Sequence, residues 1–124
     1  VIKPALKEGK WVICDRFFDS TMAYQGYGFD QDRQMIDQIR HLTLQDFAPG
    51  LTIILDVDPA SGLSRAGKKQ RYEEMDTYFH QKLRAGFHEI AKAEPDRCVV
   101  IDAAQSIDDV AAAIDRKLQR RFSL

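Results

Sequence analysis

Three short apolar runs punctuate an otherwise mixed chain: Trp11 to Cys14, Leu51 to Leu55 and Cys98 to Ile101. None carries a charge except at its end, which suits parallel strands covered on both faces. Between them apolar positions recur at helical spacing. Val1 to Glu8 reads as the end of a helix, with Gly9 placed for a left-handed cap. Asp19 or Ser20 caps a short helix through Tyr24, and Gly26, Gly28 and the aromatics around them make a loop. Asp30 or Asp32 caps the next helix, whose inner face is Met35, Ile36, Ile39, Leu42 and Phe47, before Pro49-Gly50 breaks it. Asp58 suits an N-cap with Pro59 at the first helical position, and that helix runs out near Gly67. Lys68 to Arg71 form a basic connector, after which Tyr72, Met75, Phe79, Leu83, Phe87 and Ile90 resume an inner face. Pro95-Asp96 is a turn, and Asp102 to Gln105 leave the third strand as a loop. Ser106 and Asp109 have capping-box spacing ahead of a last helix showing Ile107, Val110, Ala111, Ile114, Leu118 and Phe122.

Strands alternating with helices predict an α/β fold, a parallel sheet flanked by helices with right-handed crossovers. At 124 residues the chain is expected to form one domain. Its 18 basic and 19 acidic residues leave no global basic field, which argues against nucleic acid as partner. No apolar run approaches a bilayer span and no signal-peptide pattern heads the chain, so the expectation is a cytoplasmic protein without a membrane partner. Cys14 and Cys98 each sit in an apolar run, far apart in sequence, and read as buried thiols rather than metal ligands. The chain starts at Val1 within a helical pattern, which reads as the back part of something longer.

Ligands of open α/β sheets gather outside the carboxyl ends of the strands. Asp15 and Arg16 sit at such an end, where the planar guanidinium suits an anion; taken alone, the pair reads more readily as ordinary surface charge. Two other patterns fail on context. Gly62 to Lys69 has the spacing of a phosphate-binding glycine loop, but Lys69 stands where a magnesium-binding hydroxyl is needed, and the segment begins inside a helix that Pro59 has opened. Asp56-Val57-Asp58 has the form of a paired-aspartate phosphatase site, but capping gives Asp58 a sufficient job.

The segment from Asp15 to Gly26, DRFFDSTMAYQG, resembles the thymidylate (dTMP) kinase signature, an Asp-Arg-aromatic step followed by Ser-x-x-Ala-Tyr-Gln-Gly. The likeness runs through the VIKPAL helix, LTIILDVDP, Arg71-Tyr72-Glu73 and VVIDA. It implies the carboxyl-terminal portion, residues 1–124, of a single domain with the P-loop nucleoside-monophosphate-kinase fold, in which three strands are present and the P-loop strand is absent. It also implies ATP-dependent phosphorylation of dTMP to dTDP, with magnesium and a homodimeric enzyme. Arg16 would hold the 5′-phosphate, with Asp15 orienting it or a magnesium-bound water. Tyr24 would lie against the deoxyribose, and Thr21 and Gln25 would face the thymine, an amide being able to donate and accept at once. Arg65 and Arg71 would meet the transferred phosphoryl group from a lid, with Lys68 and Lys69 as further cations. Ala104 and Gln105 would flank the adenine. Gln70 departs from the pattern, standing where an Asp is expected before the Arg, and the lid is short. The resemblance leaves out the P-loop, so these residues alone are expected not to catalyse transfer. Another nucleoside-monophosphate kinase and a non-catalytic α/β module are the alternative readings.

Overall fold

A computed structural model describes residues 1–58 and 77–124. Helix α1 (Ile2–Lys7) ends where Gly9 takes φ +78, the left-handed conformation that glycine adopts without steric cost. Residues 11–14 have no regular secondary structure and lead to a bend at Asp15-Arg16. Helix α2 (Phe18–Thr21) runs directly into a wide π-helical segment, Met22–Gly28. Asp32 caps α3 (Arg33–Leu44), its carboxylate accepting from the Gln34 and Met35 amides. Strand β1 (Thr52–Asp56) pairs in parallel with β2 (Cys98–Asp102), and the 17-residue helix α4 (Thr77–Ala93) precedes β2. Helix α5 (Ile107–Phe122) closes the chain; Ser106 Oγ accepts from the Asp109 amide at 3.1 Å, the cap read from the spacing.

The register is Thr52 opposite Cys98 through Asp56 opposite Asp102, so two carboxylates stand side by side at the carboxyl end of the sheet. Helix α4 packs against both β2 and the π-helical segment, and α5 packs against β2. The core follows this arrangement: Ala23, Ile54, Leu83, Ile90 and Cys98 are buried together, with Met22, Tyr24, Tyr27 and Phe87 against them. Two glycines allow the close approach of α4. A Cβ at Gly86 would stand 2.6 Å from Tyr27 Cβ, and one at Gly28 would stand 2.6 Å from Phe79 Cε2. Each element thus offers a notch to an aromatic ring of the other.

Five expectations need correction. Neither Asp19 nor Ser20 caps the short helix, which starts at Phe18 with Phe17 at its N-cap and no side-chain hydrogen bond there. Trp11 to Cys14 forms no ladder, and the described sheet has two strands where three were expected. An apolar run becomes a strand only when backbone partners and covering faces are supplied; here Ile13 is 97% exposed, and Trp11 meets Phe122 edge-on at 5.0 Å. Cys14 is accordingly exposed, unlike Cys98. Gly26 and Gly28 lie in the continued helix and not in a loop, because amides reach back farther than an α-helix allows, Phe29 to the Tyr24 carbonyl at 2.9 Å. On α3 only Ile36 is buried, while Met35, Ile39 and Leu42 face outward, since this helix is held mainly by the π-helical segment. The expected cap of Pro59 by Asp58 and the helix to Gly67 lie outside the described residues.

Candidate functional site

Arg16 is held in the left-handed region at φ 68, which costs a residue with a Cβ about 1 kcal/mol or more. That turn brings its guanidinium over Tyr24, 5.3 Å from the ring centroid, in cation–π range. Two residues singled out from sequence are therefore in contact across eight positions. The guanidinium keeps its exposure in this arrangement, and Asp15 beside it is exposed as well. Thr21 and Gln25 follow on the same helical run, about one turn apart; Thr21 is exposed and Gln25 half-buried. The Gln25 carbonyl accepts from the Gln31 amide at 2.9 Å, which closes the wide helix. Widened helical turns of this kind are frequent at functional sites.

Aromatic rings extend the site from Tyr24. Phe79 of α4 lies 6.2 Å from Tyr24 and 4.8 Å from Phe29, centroid to centroid. Lys82, one turn along α4, pairs with Asp30. The site is thus backed by α4 and walled by rings, with one exposed guanidinium at its mouth.

A second group of charges lies at the carboxyl end of the sheet. Arg84 donates through two nitrogens to the two oxygens of Asp56, at 2.8 and 3.1 Å, and its third nitrogen is 3.5 Å from Asp58. His88 Nε2 is 3.2 Å from Asp56 as well. The Arg84 hydrogen bonds hold the Asp56 carboxyl below its ordinary range, against a smaller opposing effect of burial. Just beyond, Ala104 N donates to Asp102 Oδ1 at 2.9 Å and Gln105 Nε2 to the Asp102 carbonyl at 2.8 Å. Ala104 and Gln105 are thereby fixed in the loop leaving β2. Arg65, Lys68, Lys69 and Arg71 lie outside the described residues. Among the described residues, no three His, Cys, Asp or Glu side chains are grouped so as to hold a metal ion. Nor is any described helix long and apolar enough to cross a membrane.

A third constellation had no announcement in the sequence. Arg97, just before β2, forks onto Asp19 of α2 at 2.7 and 3.0 Å and donates to Thr52 Oγ1 at 2.8 Å. It also pairs with Glu94. These partners raise the affinity of its guanidinium for the proton, the Asp19 bonds contributing most. Arg97 and Asp19 are 78 positions apart, and nothing in local spacing links them. Phe79 and Arg84 were missed as site neighbours for the same reason, though Phe79 was legible as a helix-face residue.

A parallel sheet carrying helices, with a basic and aromatic cluster where residues 11–16 lead into a helix, is an α/β arrangement consistent with the nucleoside-monophosphate-kinase type. Residues 1–114 match the family model described as thymidylate kinase. A thymidylate kinase of Wolbachia pipientis wMel is 52% identical over 109 residues, covering 88% of this chain and 55% of that protein. One of Caulobacter vibrioides is 47% identical over 127 residues, covering 100% of this chain and 61% of that protein. The crystal structure of thymidylate kinase from Ehrlichia chaffeensis superposes with a TM-score of 0.71 at 39% identity, over 96% of this chain and 54% of that one. The chain belongs to the thymidylate kinase family. It spans rather more than half the length of the relatives it matches.

Proposed function

We propose that this chain is the carboxyl-terminal portion of a single thymidylate kinase domain, transferring the γ-phosphoryl group of ATP to dTMP to give dTDP. The observation that carries the reading is the exposed Arg16 guanidinium set over the Tyr24 ring, within a segment covered by the family match. A planar fork of donors that does not titrate away suits a phosphate monoester. In this reading Arg16 takes the 5′-phosphate, and Asp15 orients the guanidinium or a magnesium-bound water. The Tyr24 ring lies along the deoxyribose and crowds out a 2′-hydroxyl, while Thr21 and Gln25 meet the pyrimidine edge. Phosphoryl transfer asks mainly for positioning and for neutralisation of spreading negative charge. Arg65 and Arg71 supply that charge at the transferred group, with Lys68 and Lys69 beside them, and Ala104 and Gln105 border the adenine. Magnesium would enter with ATP and add neutralising charge at the phosphates, keeping most of its waters, one of which Asp15 would orient. The enzyme acts in the cytoplasm and as a homodimer, a state that the outward Met35, Ile39 and Leu42 of α3 favour.

The test is ADP formation dependent on dTMP, using the protein expressed from its complete reading frame. Turnover with dTMP is expected to exceed that with dUMP, dCMP or AMP, and Arg16→Ala is expected to lower kcat/KM for dTMP about a hundredfold, the usual scale for losing one donor to a reacting centre. Equal use of AMP would move the reading to another nucleoside-monophosphate kinase. Residues 1–124 alone are expected to give no turnover, and ADP formation by that polypeptide would refute this part.

A further inference from the structure

We propose that Arg97 is a positioning residue for the nucleoside-monophosphate site, acting through Asp19; this rests on the reading above. Asp19 stands in α2, three residues after Arg16 and five before Tyr24. Thr52 opens β1, and Glu94 follows the end of α4. Arg97 joins all three: both oxygens of Asp19 at 2.7 and 3.0 Å, Thr52 Oγ1 at 2.8 Å, and Glu94.

Burial separates this pair from the surface pairs of the molecule. The Arg97 and Asp19 side chains are only 15% and 19% exposed, against 66% and 60% for Lys10 and Glu8. Exposed pairs contribute little, whereas removing one partner of a buried pair leaves the other charge unsatisfied. A bidentate fork also fixes orientation as well as distance. Helix α2 is a single turn of 4 residues, with no side-chain hydrogen bond at its N-cap and no buried residue of its own. Its direction therefore depends on the Asp19 fork and on the π-helical segment that continues it. Tilting α2 would shift Arg16 at one end and Tyr24 at the other, and these are the two groups that must act together on one ligand. The sheet, through Thr52 and the Arg97 backbone, is the frame against which they are held: the Thr52 amide donates to the Arg97 carbonyl at 2.8 Å. A lysine at 97 would keep the charge but lose the fork.

The experiment compares wild type, Arg97→Lys, Arg97→Gln, Asp19→Asn and the Asp19→Asn/Arg97→Gln double variant, each from the complete reading frame. Steady-state constants for dTMP and for ATP, dTMP affinity by calorimetry and the melting temperature are measured on each. KM for dTMP is expected to rise about tenfold in each single variant, about 1.4 kcal/mol, with KM for ATP within about twofold of wild type. Arg97→Lys is expected to behave like Arg97→Gln, and the double variant to be no worse than either single, as for two partners of one interaction. Asp19→Asn is nearly isosteric and keeps the proposal testable where Arg97→Gln does not fold. A lowered melting temperature with an unmoved KM for dTMP would mean that Arg97 only braces the fold, and would overturn the inference alone. A wild-type protein that neither binds nor phosphorylates dTMP would overturn the reading and the inference together.

Discussion

Trp11 to Cys14 and Cys98 to Ile101 are written in nearly the same letters, and they end differently. The second is a strand with Cys98 and Ile101 at 5% and 4% exposure. The first has no regular secondary structure and no ladder, and its Ile13 lies in the open. The difference lies in their neighbours. β2 has β1 in register beside it and both α4 and α5 packed against it. Residues 11–14 have one aromatic contact and no backbone partner in the described sheet. An apolar run states what a segment would bury; it does not supply the surface to bury it against.

Two isoleucines set the two runs apart most sharply. Ile54→Ala should cost about 2–5 kcal/mol, because it opens a cavity in the core, while Ile13→Ala should cost less than about 0.5 kcal/mol. Urea midpoints of the two variants of residues 1–124 measure this; equal losses would show that residues 11–14 of that polypeptide are packed in solution. A smaller effect is expected at the notch between α4 and the π-helical segment. Gly86→Ala brings a methyl group onto Tyr27 and should cost about 1–3 kcal/mol, again read as a urea midpoint. The smallest perturbation uses the two thiols. Cys14 is exposed, whereas burial pushes the Cys98 thiol up to about 11 from an ordinary 9.0. A neutral thiol reacts poorly, so a maleimide at neutral pH should modify Cys14 first and Cys98 only on unfolding. The sign for stability follows from the raised value: the folded form keeps its proton to higher pH than the unfolded chain. The contribution of Cys98 is thus complete below pH 9 and is lost as pH climbs from there to about 11. A Cys98→Ala variant should show a flatter stability profile over that window.

Local chemistry was the readable part. Gly9, Asp32 and Ser106 cap where their residue types and spacing require, and β1 and β2 fall on their apolar runs within a residue at either end. The pairing of Arg16 with Tyr24 was legible only as membership in one motif; the stacked geometry needed the left-handed turn at Arg16, which no residue preference announces. The π-helical segment escaped because its glycines signal a loop equally well; what keeps it helical is the bulk of Phe79 and Tyr27 filling the space beside Gly28 and Gly86. Arg97 was invisible for a plainer reason. A charge beside a turn reads as solvated, and its carboxylate partner lies 78 positions away.

The reciprocal fit of Gly28 with Phe79 and of Gly86 with Tyr27 works like a mortise cut in both timbers. Neither ring can be enlarged, and neither glycine replaced, without a matching change across the joint. Engineering that aims to reshape the pocket around Tyr24 should therefore mutate both sides of this seam together, because a library varying one side at a time will be dominated by misfolded members.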